Sequence, residues 1–329
     1  MADREFVFSN PAVQKLIVEK FVPLAMDDWY LRRQEDEHGK FFMAMTKESP
    51  RGDVGENTRQ GRYVFTAAGK FLGFDNGRSP EQIVAMLRRS LIIWEKLTDA
   101  EKHPVGGIGE VKQEPQFDRP LPKNGAVVTV YTRVLDRRSD GSLVACTPVP
   151  VPEGRYEHRG FGAAIDHLWL NANDLKVLLP PSGAKAGIAI PFPAAIAQRI
   201  ARYHLADNTR GEPPHWKKDE VKKVEFVATP ESATRAKLSG AVHLETKDGK
   251  RGFIGVLDGW MESTDGTLTA FEAAVTGDHW GESALTRGAR QGKSPLGFAF
   301  VLTPEPKPAD SVPPQASRWL EGYYEPERN

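Results

Sequence analysis

Along residues 10–21, NPAVQKLIVEKF, apolar side chains recur at Val13, Leu16, Ile17 and Phe21, the three-and-four spacing of one helix face. Asn10 stands ahead of them as an N-cap and Pro11 takes the first helical position, so the pattern predicts a helix with a defined start. The next stretch, VPLAMDDWY, is an apolar run ending in two aspartates and two aromatics, and predicts a buried strand emerging into a polar loop. Residues 31–49 turn from charged to apolar (FFMAM) and predict a helix interrupted at Gly39, whereas PRGDVGENTRQ has no period and predicts a loop. GRYVFTAAGKFLGF then places two β-prone runs around a short connection, a hairpin signal. Ser79, Pro80 and Gln82 open the last element of this half, a helix with Ile83, Val84, Leu87, Leu91 and Trp94 on one face.

Residues 98–126 mix charge, glycine and proline without period, as linkers do. Beyond them the period shifts to two. AVVTVYTRVL and SLVACTPVPV flank Asp140-Gly141, and further alternating runs cover 236–246, GFIGVLDGWMES, GTLTAFEAAVTG and PLGFAFVLTP, with Asp248-Gly249 and Asp265-Gly266 between them. FPAAIAQRIARYHL interrupts this series with a helical period ending near Asp207. The tail PEPKPADSVPPQ is proline-rich and extended, while Trp319, Tyr323 and Tyr324 predict that it folds back onto the body. The expected fold class is α+β: an α/β domain over 1–100, a linker over 101–125, a β-rich, mainly antiparallel domain with one or two helices over 126–304, and a tail over 305–329.

The order helix, strand, helix, loop, hairpin, helix over residues 6–97, with its NPAV…FVP helix-to-strand passage, resembles the thioredoxin-like fold, most strongly in the closing hairpin and helix. The resemblance covers about a third of the chain and implies a redox fold. The family's CxxC turn and the cis-proline ahead of the hairpin have no counterpart here, since Thr58-Arg59-Gln60-Gly61 fills the second position. The family's usual activity is therefore not expected.

Composition sharpens that exclusion. Cys146 is the only cysteine of 329 residues, so the chain cannot perform dithiol–disulfide exchange by itself. Cys146 lies in an alternating run with no histidine beside it and reads as a buried, inert thiol. Lys plus Arg equals Asp plus Glu at 44 each, which supplies no overall basic field for nucleic acid. No run approaches the ~18 apolar residues of a membrane span, and MADREFVFSNPAV lacks the regions of a signal peptide. The expectation is a soluble protein, either cytoplasmic or exported with its signal removed, that meets a small molecule or a protein.

Candidate chemistry concentrates in the second half: Asp166-His167, His204, Asp207, Arg210, Glu212, His215 and Asp278-His279. Histidines near carboxylates suit a general base with its orienting partner. Neutral imidazoles suit a divalent transition metal, for which His167, His204 and His279 are the candidate ligands; the competing reading, favoured by the absence of HExxH, HxH or a closely spaced pair, is that these histidines satisfy buried backbone groups or sit on the surface. The catalytic set is His167, His204, Asp207, Arg210, Glu212 and His279. In DNTRGEPPHW the prolines fix a loop from which Arg210 and Glu212 would project, Arg210 being suited to a carboxylate or phosphate; the competing reading is an Arg–Glu pair anchoring the loop. A second candidate, for ligand binding, is Asp27, Trp29, Arg32 and Arg59 at the end of the expected strand; against it stands a structural role, with the aromatics covering the core and the arginines pairing with the aspartates. GGIG at 106–109 lacks the strand–turn–helix setting of a dinucleotide loop, and neither GxxxxGK[ST] nor GxSxG occurs. Three functions follow in order: a non-redox thioredoxin-like scaffold joined to a β-rich binding domain, a metal-dependent enzyme using the His/Asp set, and an accessory redox protein whose CxxC lies upstream of residue 1.

Overall fold

A computed structural model of the chain describes residues 7–52, 57–77, 79–104, 120–146, 162–181, 183–307 and 320–325. The GGIG sequence, most of the expected linker and Trp319 lie outside these residues. The chain divides into two compact units, 6–119 and 120–329, the second also taking in residues 1–5.

The first unit opens with α1 (Pro11–Lys20), capped as expected by Asn10, whose side chain accepts from the Ala12 and Val13 amides. A single helical turn, α2 (Asp28–Leu31), precedes α3 (Glu37–Lys47), which is capped by Asp36, so it begins later than residue 31, and it runs through Gly39 without the expected interruption. Strands β1 (Arg62–Phe65) and β2 (Phe71–Asp75) form the expected antiparallel hairpin, and α4 (Pro80–Glu95) starts at the Ser79 cap. A short α5 (Asp99–Lys102) follows. Ile83, Met86 and Leu87 of α4 bury against Val64 and Leu72 of the hairpin and Val13 of α1; each such side chain contributes ~1.5–3 kcal/mol to holding the unit together. Leu31, Phe42 and Met45 form a smaller second cluster.

One expectation fails here. Residues 21–27 form neither helix nor strand, and Val22, Leu24 and Met26 are 87%, 66% and 51% exposed. A strand exists only through its neighbours. Among the described residues this unit's sheet has two strands, and neither pairs with 21–27.

Among the described residues the second unit is built on a nine-stranded, antiparallel sheet. Its strands are β3 (Ala126–Arg137), β4 (Leu143–Ala145), β5 (Ala163–Leu170), β6 (Ile190–Pro191), β7 (Val221–Pro230), β8 (Arg235–Glu245), β9 (Gly252–Thr264), β10 (Thr267–Trp280) and β11 (Ser294–Thr303). The run β7 to β11 is a meander. Strand β11 then pairs with β3, β3 pairs with β5 and, at its far end, with β4, and β6 edges β7. Asp265 and Gly266, at φ 52° and 76°, form the tight β9–β10 hairpin that their sequence predicts.

Period-two alternation sorts the sheet's side chains. Val128, Val130, Phe226, Leu238, Phe253, Leu257, Val275, Phe298 and Phe300 point to one face and make its core. Among the described residues three α-helices join them in this unit: α6 (Ala172–Leu178), α7 (Ala194–Arg199) and α8 (Leu320–Tyr324). Helix α7 does not continue as an α-helix to Asp207; it passes into a π-helical turn over Ile200–His204, closed by the Leu205 amide donating to the Ile200 carbonyl at 3.2 Å. Tyr323 of α8 is fully buried in this core. Cys146 lies just past β4 and is half-buried, and burial together with Asp136 raises its thiol pKa.

Candidate functional site

The π turn determines what His204 meets. Residues five apart in an α-helix stand ~140° around its axis, but an i→i+5 turn stacks them on one face. Arg199 and His204 are such a pair, and both reach Tyr323: Arg199 Nε donates to its carbonyl at 2.9 Å, and His204 Nε2 lies 2.9 Å from its hydroxyl. His204 Nδ1 lies 3.0 Å from Asp166 Oδ2 on β5. The Tyr323 oxygen also accepts the Trp169 amide at 3.0 Å.

These bonds fix the ring's orientation. A carboxylate only accepts, so Nδ1–H donates to Asp166, and Nε2 shares a hydrogen bond with the Tyr323 hydroxyl. Burial opposes charge on Asp166, but His204, followed by the His167 amide, outweighs it and holds the carboxyl below its ordinary pKa. Burial pushes the Tyr323 phenol well up, which keeps its proton in place. The line Asp166–His204–Tyr323 has the order of a proton relay. The imidazole, however, is wholly buried, and its outer nitrogen is occupied by Tyr323.

Arg199 is itself fully buried and makes five hydrogen bonds. Its guanidinium forms a fork with Asp174, at 2.7 and 3.0 Å, and donates to the carbonyls of Trp169, Tyr323 and Tyr324. Asp174 also closes a capping box with Asn171 at the start of α6. Neither Arg199 nor Asp174 was among the sequence's candidates. The visible signals were the NAND capping sequence and an arginine within an apolar helical face.

A second buried group gathers behind the π turn. Asp207 accepts from the Thr209 amide and hydroxyl at 3.0 and 2.6 Å and from Arg210 Nε at 2.8 Å. Arg210 continues to the carbonyls of Thr286 and Gly281. Burial alone would raise the Asp207 carboxyl, but Arg210, His279 and Thr209 hold it below its ordinary range. The same burial, helped by Arg210 and Arg251 and opposed by Asp207, pushes the His279 pKa down to about 4. Arg251 lies 4.1 Å from the Trp216 ring and donates to the Pro214 carbonyl, while the Trp216 indole donates to Leu205. Loop 205–217 is thus bolted to the body from both sides.

Arg210 therefore corrects the expectation of an outward-facing anion contact: it is turned inward onto Asp207, and it is Glu212 that is exposed. The three-histidine metal site is corrected as well. Among the described residues no group of three or more His, Cys, Asp or Glu side chains is placed to hold a metal ion. His167 and His279 each follow an aspartate along a strand, and strand neighbours face opposite sides. Asp166 meets His204 on one face while His167 is buried on the other; Asp278 makes an exposed ion pair with Arg137 at 3.1 Å while His279 turns inward to the Asp207 group. His215 stands edge-on to the Tyr203 ring.

In the first unit, Asp28 collects the neighbours of the second candidate set. It accepts from the Thr58 hydroxyl at 2.7 Å and the Arg59 amide at 3.1 Å, and lies 3.8 Å from Arg32. Asp27 caps α2 through the Trp29 amide, and the Trp29 ring carries the Arg33 guanidinium at 4.2 Å. Arg59 is buried, and its carbonyl accepts from the Tyr63 hydroxyl. Asp27, Trp29, Arg32 and Arg59 thus share a neighbourhood held by structural bonds. Asp28→Ala is expected to cost about 2 kcal/mol, the sum of two hydrogen bonds and a partly exposed ion pair. Faster amide exchange confined to residues 57–60 would check it, and unchanged exchange would contradict it.

On the other face of the second unit's sheet, His167 and Trp169 of β5 are buried, but a stretch away from β5 is exposed. Tyr131, Val301, Ile254 and Val256 are 46%, 39%, 42% and 57% exposed. By strand register they surround small side chains: the row Tyr131–Ala299–Ala274–Asp258–Ser239 lies beside Arg133–Gly297–Thr276–Val256–Ala241. Trp260, under the Arg235 guanidinium at 4.2 Å, borders them. No described helix is long and apolar enough to cross a membrane. Comparison with protein-family models, with characterised proteins and with solved structures finds no significant match to this chain.

Proposed function

We propose that this chain is a binding protein whose β-rich unit offers the open face of its large sheet to a protein partner, with the first unit serving as a thioredoxin-like support that performs no redox chemistry. One contrast carries the reading. The histidines, aspartates and arginine nominated for catalysis are mostly buried and engaged in holding loops and termini, whereas Tyr131, Ile254, Val256 and Val301 stand exposed around a floor of small residues, Ala241, Ala274, Ala299, Ser239, Thr276 and Gly297, that Asp258 and Arg133 interrupt with charge. An exposed apolar group with small residues between larger ones accepts a partner's side chains without first moving its own.

Val256→Glu combined with Ile254→Lys tests it. A photo-crosslinking residue at position 131 is expected to capture one defined protein in the source cell, which then binds the purified chain directly; the double variant is expected to lose that binding at least tenfold while its unfolding midpoint stays within ~1 °C. Equal binding by the double variant would place the interface elsewhere and sink this assignment of the face.

A second reading, an accessory redox protein whose thiols lie upstream of residue 1, draws support from one observation: the apolar stretch 22–26 is exposed and belongs to no sheet. The reading frame upstream of the gene tests it, an in-frame CxxC supporting the reading and an immediate stop codon ending it.

A further inference from the structure

We propose that the groove formed by Arg199, Tyr203, His204 and the outer edge of β5 is a peptide-binding site for a short helical turn ending in Tyr-Tyr, and that residues 320–325 occupy it as an exchangeable, tethered ligand. The site is independent of the open sheet face.

The segment's main-chain carbonyls are the acceptors, and the groove supplies their donors. Tyr203 donates its hydroxyl to the Gly322 carbonyl at 3.2 Å, Arg199 Nε donates to the Tyr323 carbonyl, and Arg199 Nη2 donates to the Tyr324 carbonyl, each at 2.9 Å. The last carbonyls of a helix have no partner within it, and a cation at that end is favoured by the helix dipole. A five-residue helix does not stand alone in water, so α8 owes its form to this surface. Sequence is read at one point above all. The Tyr323 hydroxyl meets both His204 Nε2 and the Trp169 amide, and its ring packs against Tyr203 at 5.6 Å. The Tyr324 ring lies 4.9 Å from the Arg199 guanidinium, while Glu321 and Glu325 face outward.

The groove keeps its shape by bonds that do not involve the segment. Asp174 and the Trp169 carbonyl fix Arg199, and Asp166 fixes His204. A site held from behind in this way is preorganised, and binding costs it little ordering. It also takes both outward backbone groups of Trp169, which β5 as an edge strand would otherwise offer to another chain. What is bound is thus a compact peptide turn with a tyrosine anchor, held through main-chain carbonyls. Tethering places the chain's own copy at an effective concentration in the millimolar range, which an outside peptide must overcome.

The test uses a fluorescein-labelled synthetic peptide of residues 320–326 and a chain ending at Trp319. Expected is saturable, micromolar binding to the shortened chain, at least tenfold weaker binding to the full chain, and at least tenfold weaker binding of a peptide carrying Tyr323→Phe. A folded shortened chain that does not bind the peptide at millimolar concentration overturns the proposal, and so does equal binding by both chains. Should the shortened chain not fold, a protease site placed after Lys307 and cut in the folded protein replaces it. Entry of the labelled peptide within hours as the cut segment leaves supports exchange; retention of the cut segment against excess peptide for a day overturns it.

Discussion

Arg199→Ala is expected to destabilise the second unit by about 3–5 kcal/mol, the cost of breaking a buried ion pair from one side. The loss has two sources. Asp174 would keep its buried charge without the fork that compensates it, and three carbonyls, of Trp169, Tyr323 and Tyr324, would lose their donor. A charge without a partner costs more than the pair contributes, so Arg199→Met with Asp174→Leu is expected to recover much of the loss. Chemical unfolding of the two single variants and the double variant measures that coupling. Arg199→Lys is expected to behave more like alanine than like arginine, because one ammonium cannot form the fork and reach the tail carbonyls together. Simple additivity of the single variants in the double variant would show that the pair does not act as a unit.

Acidification is expected to weaken the fold before ordinary carboxylates titrate. His279 binds its proton near pH 6.5 when unfolded and only near pH 4 when folded. Between those values the unfolded chain takes up a proton that the folded chain refuses, so this contribution is complete above pH 6.5 and lost as pH falls towards 4. Its size is about 3 kcal/mol, at ~1.4 kcal/mol per pH unit. Asp207, whose pKa is depressed, adds a loss of the same sign below its unfolded value of 3.8. The groups facing His279 are Asp207, which favours its proton, and Arg210 and Arg251, which disfavour it. Unfolding free energies at pH 7.5 and 4.5 for the natural chain and His279→Gln provide the check. The variant starts lower, having lost a packed side chain, but its decline across this window should be shallower by roughly 2.5 kcal/mol, most of the full effect. Parallel declines would show that His279 does not carry the effect.

The caps and periods that could be read locally were mostly realised. Asn10 with Pro11 and Ser79 with Pro80 open their helices, the 62–75 hairpin forms, and Asp265-Gly266 turns β9 into β10. Each depends on chemistry within a few residues, a side chain accepting a nearby amide or a backbone that tolerates positive φ. VPLAM is the counterexample: its apolarity is local, but a strand also needs a neighbour, and none of the described strands supplies one.

The site shows the limit more clearly. Asp166-His167 and Asp278-His279 look like carboxylate–imidazole pairs because they are adjacent, and a strand separates adjacent side chains onto opposite faces. His204 instead meets Asp166 from 38 residues away, His279 meets Asp207, and Arg199 meets Tyr323 from 124 residues away, brought onto a common face with His204 by a π turn that the helical period does not reveal. Caps, turns and the two-residue alternation were written in the chain alone, because they depend on neighbours along it. Which imidazole, carboxylate and guanidinium share a bond followed from folding, because strand register and helix winding set that in space.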